Sequence, residues 1–433
     1  MNLIKVVSKG LPLVVLLAFS AGIAAQPVSM EAVLASARTD ARVLAAADMP
    51  IFTQSLNYRL PLLRKVELRL GLNGNLFRDT LYGDIRNEDF YGLYIYPNSL
   101  RERRLQRDIQ PAQASVYEAG SRIAWQQAVL ERYQALTQLY FSGRLLEARA
   151  SLDSLLSVKQ RLMLQMLDQG VEIKVKEVVD TENDRSALQF GMSEAKNDIR
   201  LQTAKIRSFV QPDATAEAVH FDSFITTDVI ASVLAKMPEE LPSMEYRISK
   251  IRLAQAGLAL ENVQNKQILS FIQLGYELPI VTEPLPKRLN PANNFSVRIG
   301  LALPLPGNNN LKRANAALEL REAQNELKTT EQQTRKSIES QRIRVENLIA
   351  LYRNLRDQTA ESLIGKLLDA DNSQVQLTPL ELVELYVSRY KRDLRALETE
   401  SEIADEYLKY LETSGKLGAL PARNYLSNTL GEF

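Results

Sequence analysis

Three stretches of the chain alternate between apolar and polar positions with a period of two. Val66, Leu68, Leu70 and Leu72 interleave with Glu67, Arg69, Gly71 and Asn73. Ile272, Leu274, Tyr276 and Leu278 interleave with Phe271, Gln273, Gly275 and Glu277. Phe295, Val297, Ile299, Leu301 and Leu303 interleave with Ser296, Arg298, Gly300 and Ala302. Such alternation gives a strand one apolar face and one wet face. It predicts strands over about 65–78, 88–96, 268–279 and 294–304. Runs of about 9 to 11 residues match a tilted transmembrane β-strand. Phe77, Tyr82, Phe90, Tyr91, Tyr94 and Tyr96 cluster near strand ends, as aromatics do at membrane interfaces. A soluble sheet packed on helices would show the same alternation, so the pattern alone leaves both open.

Elsewhere the apolar residues follow helical seams. Val129, Tyr133, Leu136 and Tyr140 step by four, three and four, and Val345, Leu348, Tyr352 and Leu355 by three, four and three. Leu320, Ala323 and Leu327 extend the second seam upstream. These are narrow stripes flanked by charge and Gln, the mark of coiled coils. The proline-free stretch Ala112–Asp168 would reach roughly 85 Å as a helix. Gly143 within it costs about 1 kcal/mol relative to Ala, with no evident return. Pro111 predicts a late start or a kink for this helix.

The order of elements repeats. An Ala-rich helix from Val28 to Met49 precedes two strands, a long helix, a tip near Gly170 and a helix ending near Val210. After a polar connector with Pro212, Pro238 and Pro242, the order returns: a helix over about Met244–Lys266, two strands, a long helix from about Leu311, a tip near 371–379, and a helix from Pro379 to about Thr413. The divisions are a signal peptide at 1–25, a first repeat at 26–210, a linker at 211–243, a second repeat at 244–415 and a C-terminal tail at 416–433. The signal peptide rests on Lys5 and Lys9, the apolar run Leu11–Leu17 and small residues through Ala25. That run is shorter than the roughly 20 residues of a membrane helix. Any embedding of the mature chain must therefore use strands.

Composition removes other classes. Lys and Arg number 53 against 52 Asp and Glu, which gives no pull toward nucleic acid, and there is no cysteine. Disulfides, thiolate metal sites and a lipid-anchored cysteine are excluded. The single histidine, His220, reads as an exposed linker residue, which argues against a histidine triad or zinc site. No phosphate loop, nucleophile elbow or metal-ligand cluster is legible. The expectation is a non-enzyme with no cofactor and no metal.

Four strands cannot close a barrel. In lipid an open edge leaves backbone groups unpaired at several kcal/mol each. Membrane strands here would have to be pooled among copies, and three copies would supply twelve, enough to enclose a lumen.

With these elements in place, the sequence resembles the TolC-type outer-membrane efflux proteins. One local match is Val297–Ile299–Leu301–Leu303–Pro304–Leu305–Pro306–Gly307, continuing through Asn308–Asn309–Asn310–Leu311 into the Ala-rich helix Ala314–Leu327. Another is the tip Gln376–Leu377–Thr378–Pro379–Leu380–Glu381–Leu382–Val383–Glu384, with Gly170–Val171–Glu172–Ile173 as its first-repeat counterpart. The proline-rich turn with its Asn continuation looks most like the branch serving heavy-metal cation pumps. The resemblance implies a mostly α fold with β: long antiparallel coiled-coil hairpins in a trimeric α-barrel, and four transmembrane strands per protomer in a twelve-stranded barrel. It implies the exit duct of a tripartite efflux pump or a type I secretion system, a passive channel spanning the outer membrane and reaching through the periplasm. It also implies a homotrimer, contact with outer-membrane lipid, a periplasmic adaptor and an inner-membrane pump of RND or ABC type. The resemblance carries the gate residues too. Glu381 and Glu384, three apart on one helix face, would form rings of like charge that attract cations, with Glu177 and Asp180 as first-repeat equivalents. Gly170, Val171, Leu377, Thr378, Pro379 and Leu380 lie at the tips where an adaptor would dock. Rival readings are a periplasmic adaptor, which needs one hairpin rather than two, and a soluble coiled-coil scaffold.

Overall fold

A computed structural model describes residues 28–55, 63–73, 87–210, 219–221, 223–237, 241–264, 266, 269–280, 295–301, 308–360, 364, 367, 378–419 and 421–433. The expected signal peptide, Phe77, Tyr82, the turn 302–307 and Leu377 lie outside them. In chain order the elements are β1 (Val28–Ser29), α1 (Met30–Ala35), α2 (Ala41–Ser55), β2 (Leu63–Asn73), β3 (Asn87–Pro97), α3 (Leu100–Asp168), α4 (Val175–Phe209), β4 (Val219–His220), α5 (Thr227–Lys236), α6 (Glu245–Gln264), β5 (Leu269–Ile280), β6 (Phe295–Leu301), α7 (Asn308–Ala360) and α8 (Pro379–Thr413). The Ala-rich first helix of the sequence reading is two helices, separated by a 3-10 turn at Ser36–Thr39.

The late start expected at Pro111 is corrected: α3 begins at Leu100 and runs through Pro111. Its start follows from Ser99, whose Oγ accepts the Glu102 N–H at 3.0 Å. Ser99-Leu100-Arg101-Glu102 is the S-x-x-E spacing of a helix start, and it outweighs one proline further in.

Packing divides the chain into two units that do not follow the two repeats. One is Met1–Leu44, Arg122–Pro242 and Gln333–Phe433; the other is Ala45–Ser121 and Ser243–Gln332. Each draws on both halves of the sequence.

In the first unit the predicted α3 seam is the core: Val129, Tyr133 and Leu136 are fully buried, with Leu34, Ile206, Val345, Tyr407 and Leu411 around them. The connector 211–243 is more than a linker. β4 pairs in parallel with β1 through Val28 and Val219, and α5 buries Ile230, Val233 and Leu234. The tail is likewise a core element, with Tyr425 and Leu426 buried. Tyr133 Oη donates to the Arg423 carbonyl at 2.6 Å and accepts the Tyr425 N–H at 3.1 Å, while Ile225 N–H donates to the Leu426 carbonyl at 2.7 Å. These bonds satisfy a strand-poor segment that would otherwise bury bare backbone. Burial pushes the Tyr133 phenol well above its ordinary range.

The same unit buries Arg132. Its guanidinium meets Asp40 Oδ2 at 3.2 Å, donates to Ser36 Oγ at 2.8 Å, and lies 4.4 Å over the Phe209 ring. Arg42 binds Asp40 from the solvent side at 3.1 Å and Glu131 at 2.6 Å.

The second unit holds an antiparallel four-stranded sheet in the order β2-β3-β5-β6, so the two repeats join through β3 and β5. Its helical part includes a buried Glu102 whose Oε1 accepts from Nε2 of the half-buried Gln264 at 2.9 Å. Leu320, Ala323 and Leu327 are half-buried along α7.

Candidate functional site: hairpin tips and an exposed sheet

The first tip is built by Gly170. Its φ of +77° is left-handed, a conformation cheap only for glycine. Gly170 N–H donates to the Leu167 carbonyl at 3.0 Å, and Val171 N–H to the Met166 carbonyl at 2.9 Å. This is the Schellman pattern, which stops α3 and turns the chain toward α4. Val171 is left 43% exposed and Val175 77% exposed. Glu177 lies 3.9 Å from Lys174, while Asp180 is exposed and makes no ion pair among the described residues.

The second tip starts α8 with a reciprocal cap. Glu381 N–H donates to Thr378 Oγ1 at 3.3 Å, and Glu381 Oε2 accepts the Thr378 N–H and O–H, both at 2.8 Å. Pro379 sits at the first helical position, where its missing N–H costs nothing. The Thr378 backbone N–H, then its hydroxyl, hold the Glu381 carboxyl below its ordinary value. One turn on, Glu384 meets Lys159 of α3 at 2.8 Å, with Lys159 largely covered. Leu380 is half-buried beside them. Sequence reasoning placed Glu381 and Glu384 on one face but missed Lys159, because a partner more than 200 residues away leaves no local signal.

The sheet carries the second feature. Its register sets three apolar rows across all four strands: Val66–Ile95–Ile272–Ile299, Leu68–Leu93–Leu274–Val297 and Leu70–Tyr91–Tyr276–Phe295. On the edge strands these side chains are bare: Leu68 is 68% exposed, Leu70 62%, Val297 59% and Ile299 62%. The opposite face holds the rows Glu67–Tyr94–Gln273–Arg298 and Arg69–Gly92–Gly275–Ser296. Arg69 bonds Glu67 at 2.8 Å and lies 4.3 Å over the Tyr94 ring, and Lys65 also pairs with Glu67. Gly300 is required on this face because the Phe271 ring covers it; a Cβ there would fall 2.2 Å from that ring. The outer sides of β2 and β6 have no strand partner among the described residues.

No protein-family profile and no curated protein matches the sequence. Solved structures do match the fold. A CusC structure described as bearing on transmembrane channel formation aligns at 12% identity and TM-score 0.59, covering 89% of this chain and 92% of that one. The outer membrane protein VceC of Vibrio cholerae aligns at 14% identity and TM-score 0.58, covering 89% and 96%. The open-state MtrE outer membrane channel of Neisseria gonorrhoeae aligns at 14% identity and TM-score 0.55, covering 89% and 88%. The chain has the TolC-type outer-membrane channel fold. No described helix is long and apolar enough to cross a membrane, which bears on helices alone.

Proposed function

We propose that three copies of this chain form an outer-membrane exit duct, pooling four strands each into a twelve-stranded barrel. The carrying observation is the sheet: three apolar rows span all four strands on a bare face, with a charged and polar face behind them. In water those rows would be a large exposed apolar patch of the kind that aggregates. In lipid they are a satisfied surface, and the polar face lines a wet lumen. The edges β2 and β6 differ, so copies pair head to tail, and head-to-tail pairing closes a ring when the rotation permits. Closure leaves no backbone group unpaired in hydrocarbon.

The signal peptide exports the chain and is removed. The hairpins extend into the periplasm, where the tips around Gly170, Val171 and 377–380 meet an adaptor tied to an inner-membrane pump of RND or ABC type. Rings of Glu381 and Glu384 narrow the periplasmic end, with Glu177 and Asp180 behind them, and cations are favoured there. A periplasmic adaptor or soluble scaffold is disfavoured, since either would leave the apolar rows uncovered.

Membrane extraction tests the reading. The mature chain should sediment with outer membranes and run as a heat-modifiable trimer. Recovery as a soluble monomer would sink it.

A further inference from the structure

We propose that a cavity between α3, α4 and the connector binds a small aromatic anion. It shares no residue with the tips or the sheet. All its lining residues belong to the first packing unit, so the site is complete within one copy and does not depend on the ring.

Gly143 points to it. Glycine inside a helix destabilises it, and two things normally require one there: a left-handed backbone or a close neighbour. Neither holds at Gly143. The left-handed glycines among the described residues are Gly170 and Gly415, and a Cβ added at Gly143 would meet no atom within 4 Å. Gly191 on α4 shows the contrast, since Nη1 of Arg149 lies 3.0 Å from where its Cβ would be. Gly143 instead lines a cavity of about 360 Å³, within the size range of small-molecule pockets. A larger side chain would stand in that space. The glycine keeps it open.

The walls set the class of occupant. Tyr140 and Phe221 supply aromatic surface, and Ile199, Ile206 and Val219 aliphatic surface. The aromatic side is fixed in place: Tyr140 stacks on Phe224 at 3.9 Å with 9° between the planes, and the Phe221 ring meets it edge-on at 5.3 Å. A flat ring system suits such a wall better than a flexible chain does, because less freedom is lost on binding. Charge sets the other end. Arg144 and Arg207 line the cavity against one carboxylate, Glu147, with Thr203 adding a hydroxyl. Arg144 meets Glu400 through Nη1 at 3.0 Å, and its guanidinium lies 5.5 Å from the Tyr140 ring centre. A guanidinium fork has further donors, which suit a carboxylate or sulfonate laid beside that ring. Val219 and Phe221 come from the connector, so an occupant would brace the connector against the α3–α4 hairpin.

Calorimetric titration of the full-length chain in detergent, with protein-free micelles as reference, tests the site. The probe 2-naphthoate should bind at one site per chain. Neutral 2-naphthamide, of the same shape, should bind roughly tenfold more weakly, the loss expected for one charge-assisted hydrogen bond. Gly143→Leu should fold, because leucine is the better helix former, and should abolish naphthoate binding by filling the cavity. Arg207→Gln, on an exposed position, should bring naphthoate down to the naphthamide level. An absence of naphthoate binding, equal binding of the two probes, or unchanged affinity in either variant overturns the proposal. So does tighter saturable uptake of decanoate, which would make the cavity an acyl-chain groove. If Gly143→Leu loses its helical circular dichroism, the probe pair on the unaltered chain and Arg207→Gln still decide.

Discussion

Single residues in this chain are set by partners far away in sequence. Asp40 shows the logic. Its carboxyl is held at about 2, below the ordinary 3.8, first by the Arg42 side chain and further by the Arg42 backbone and Arg132, against the upward push of burial. A depressed carboxyl contributes stability above its ordinary value and loses it as pH falls through the folded one. The Asp40 contribution is thus present above pH 3.8 and lost toward pH 2. Removing Asp40 strands the buried Arg132 cation, so Asp40→Ala should cost about 3 kcal/mol in denaturant melts at neutral pH. Arg132→Met should cost less, because Asp40 keeps Arg42. Equal losses would contradict the pairing. Gly143, an expense without evident return in the sequence, has no atom within 4 Å of an added Cβ. Gly143→Ala should therefore stabilise by about 1 kcal/mol, read as a raised denaturation midpoint. At the tip, Lys159 offsets one of the two acidic side chains proposed for the gate. Lys159→Gln should shift the reversal potential in planar bilayers toward stronger cation preference, and Glu384→Gln should shift it back. Unmoved potentials would remove Glu384 from the gate.

Among elements, the sheet is where sequence and structure speak most directly to function. Leu68 is already two-thirds exposed. In a water-soluble sheet, Leu68→Arg would change stability by roughly 0.5 kcal/mol or less. On the lipid face of a barrel it costs about 2–4 kcal/mol near the midplane. Thermal melting of the detergent-held variant separates the two. The alternation that decides this face was legible, since a period of two needs only neighbours. So were the narrow seams of α3 and α7 and the start of α8, where Thr378, Pro379 and Glu381 write the cap in four residues. The start of α3 was equally local, but Pro111 drew attention from Ser99 and Glu102. Less could be read where partners are distant. The connector looks polar, yet Ile230, Val233 and Leu234 face the core once β4 has joined β1. The tail has no periodicity, and it is held by Tyr133 and by the backbone of Ile225. The Lys159–Glu384 pair becomes visible only when the fold brings α3 beside α8.

At the scale of the whole molecule, the central claim is that the apolar rows lie in lipid and that neighbouring copies complete the ring. Both packing units take segments from both repeats, so neither repeat stands alone as a folded half. In the proposed ring, copies joined head to tail would extend that interleaving, each supplying what the edge of its neighbour lacks. The most direct measurement uses the absence of native cysteine. Single cysteines at Leu68, Leu93, Leu274 and Val297, one on each strand of one row, would carry bimane in reconstituted bilayers, with Glu67, Tyr94 and Arg298 as the opposite face. The account predicts that nitroxide lipids quench the first four and spare the last three, while aqueous iodide does the reverse. Iodide quenching of the Leu68–Leu93–Leu274–Val297 row, with no effect of the nitroxide lipids, would contradict it.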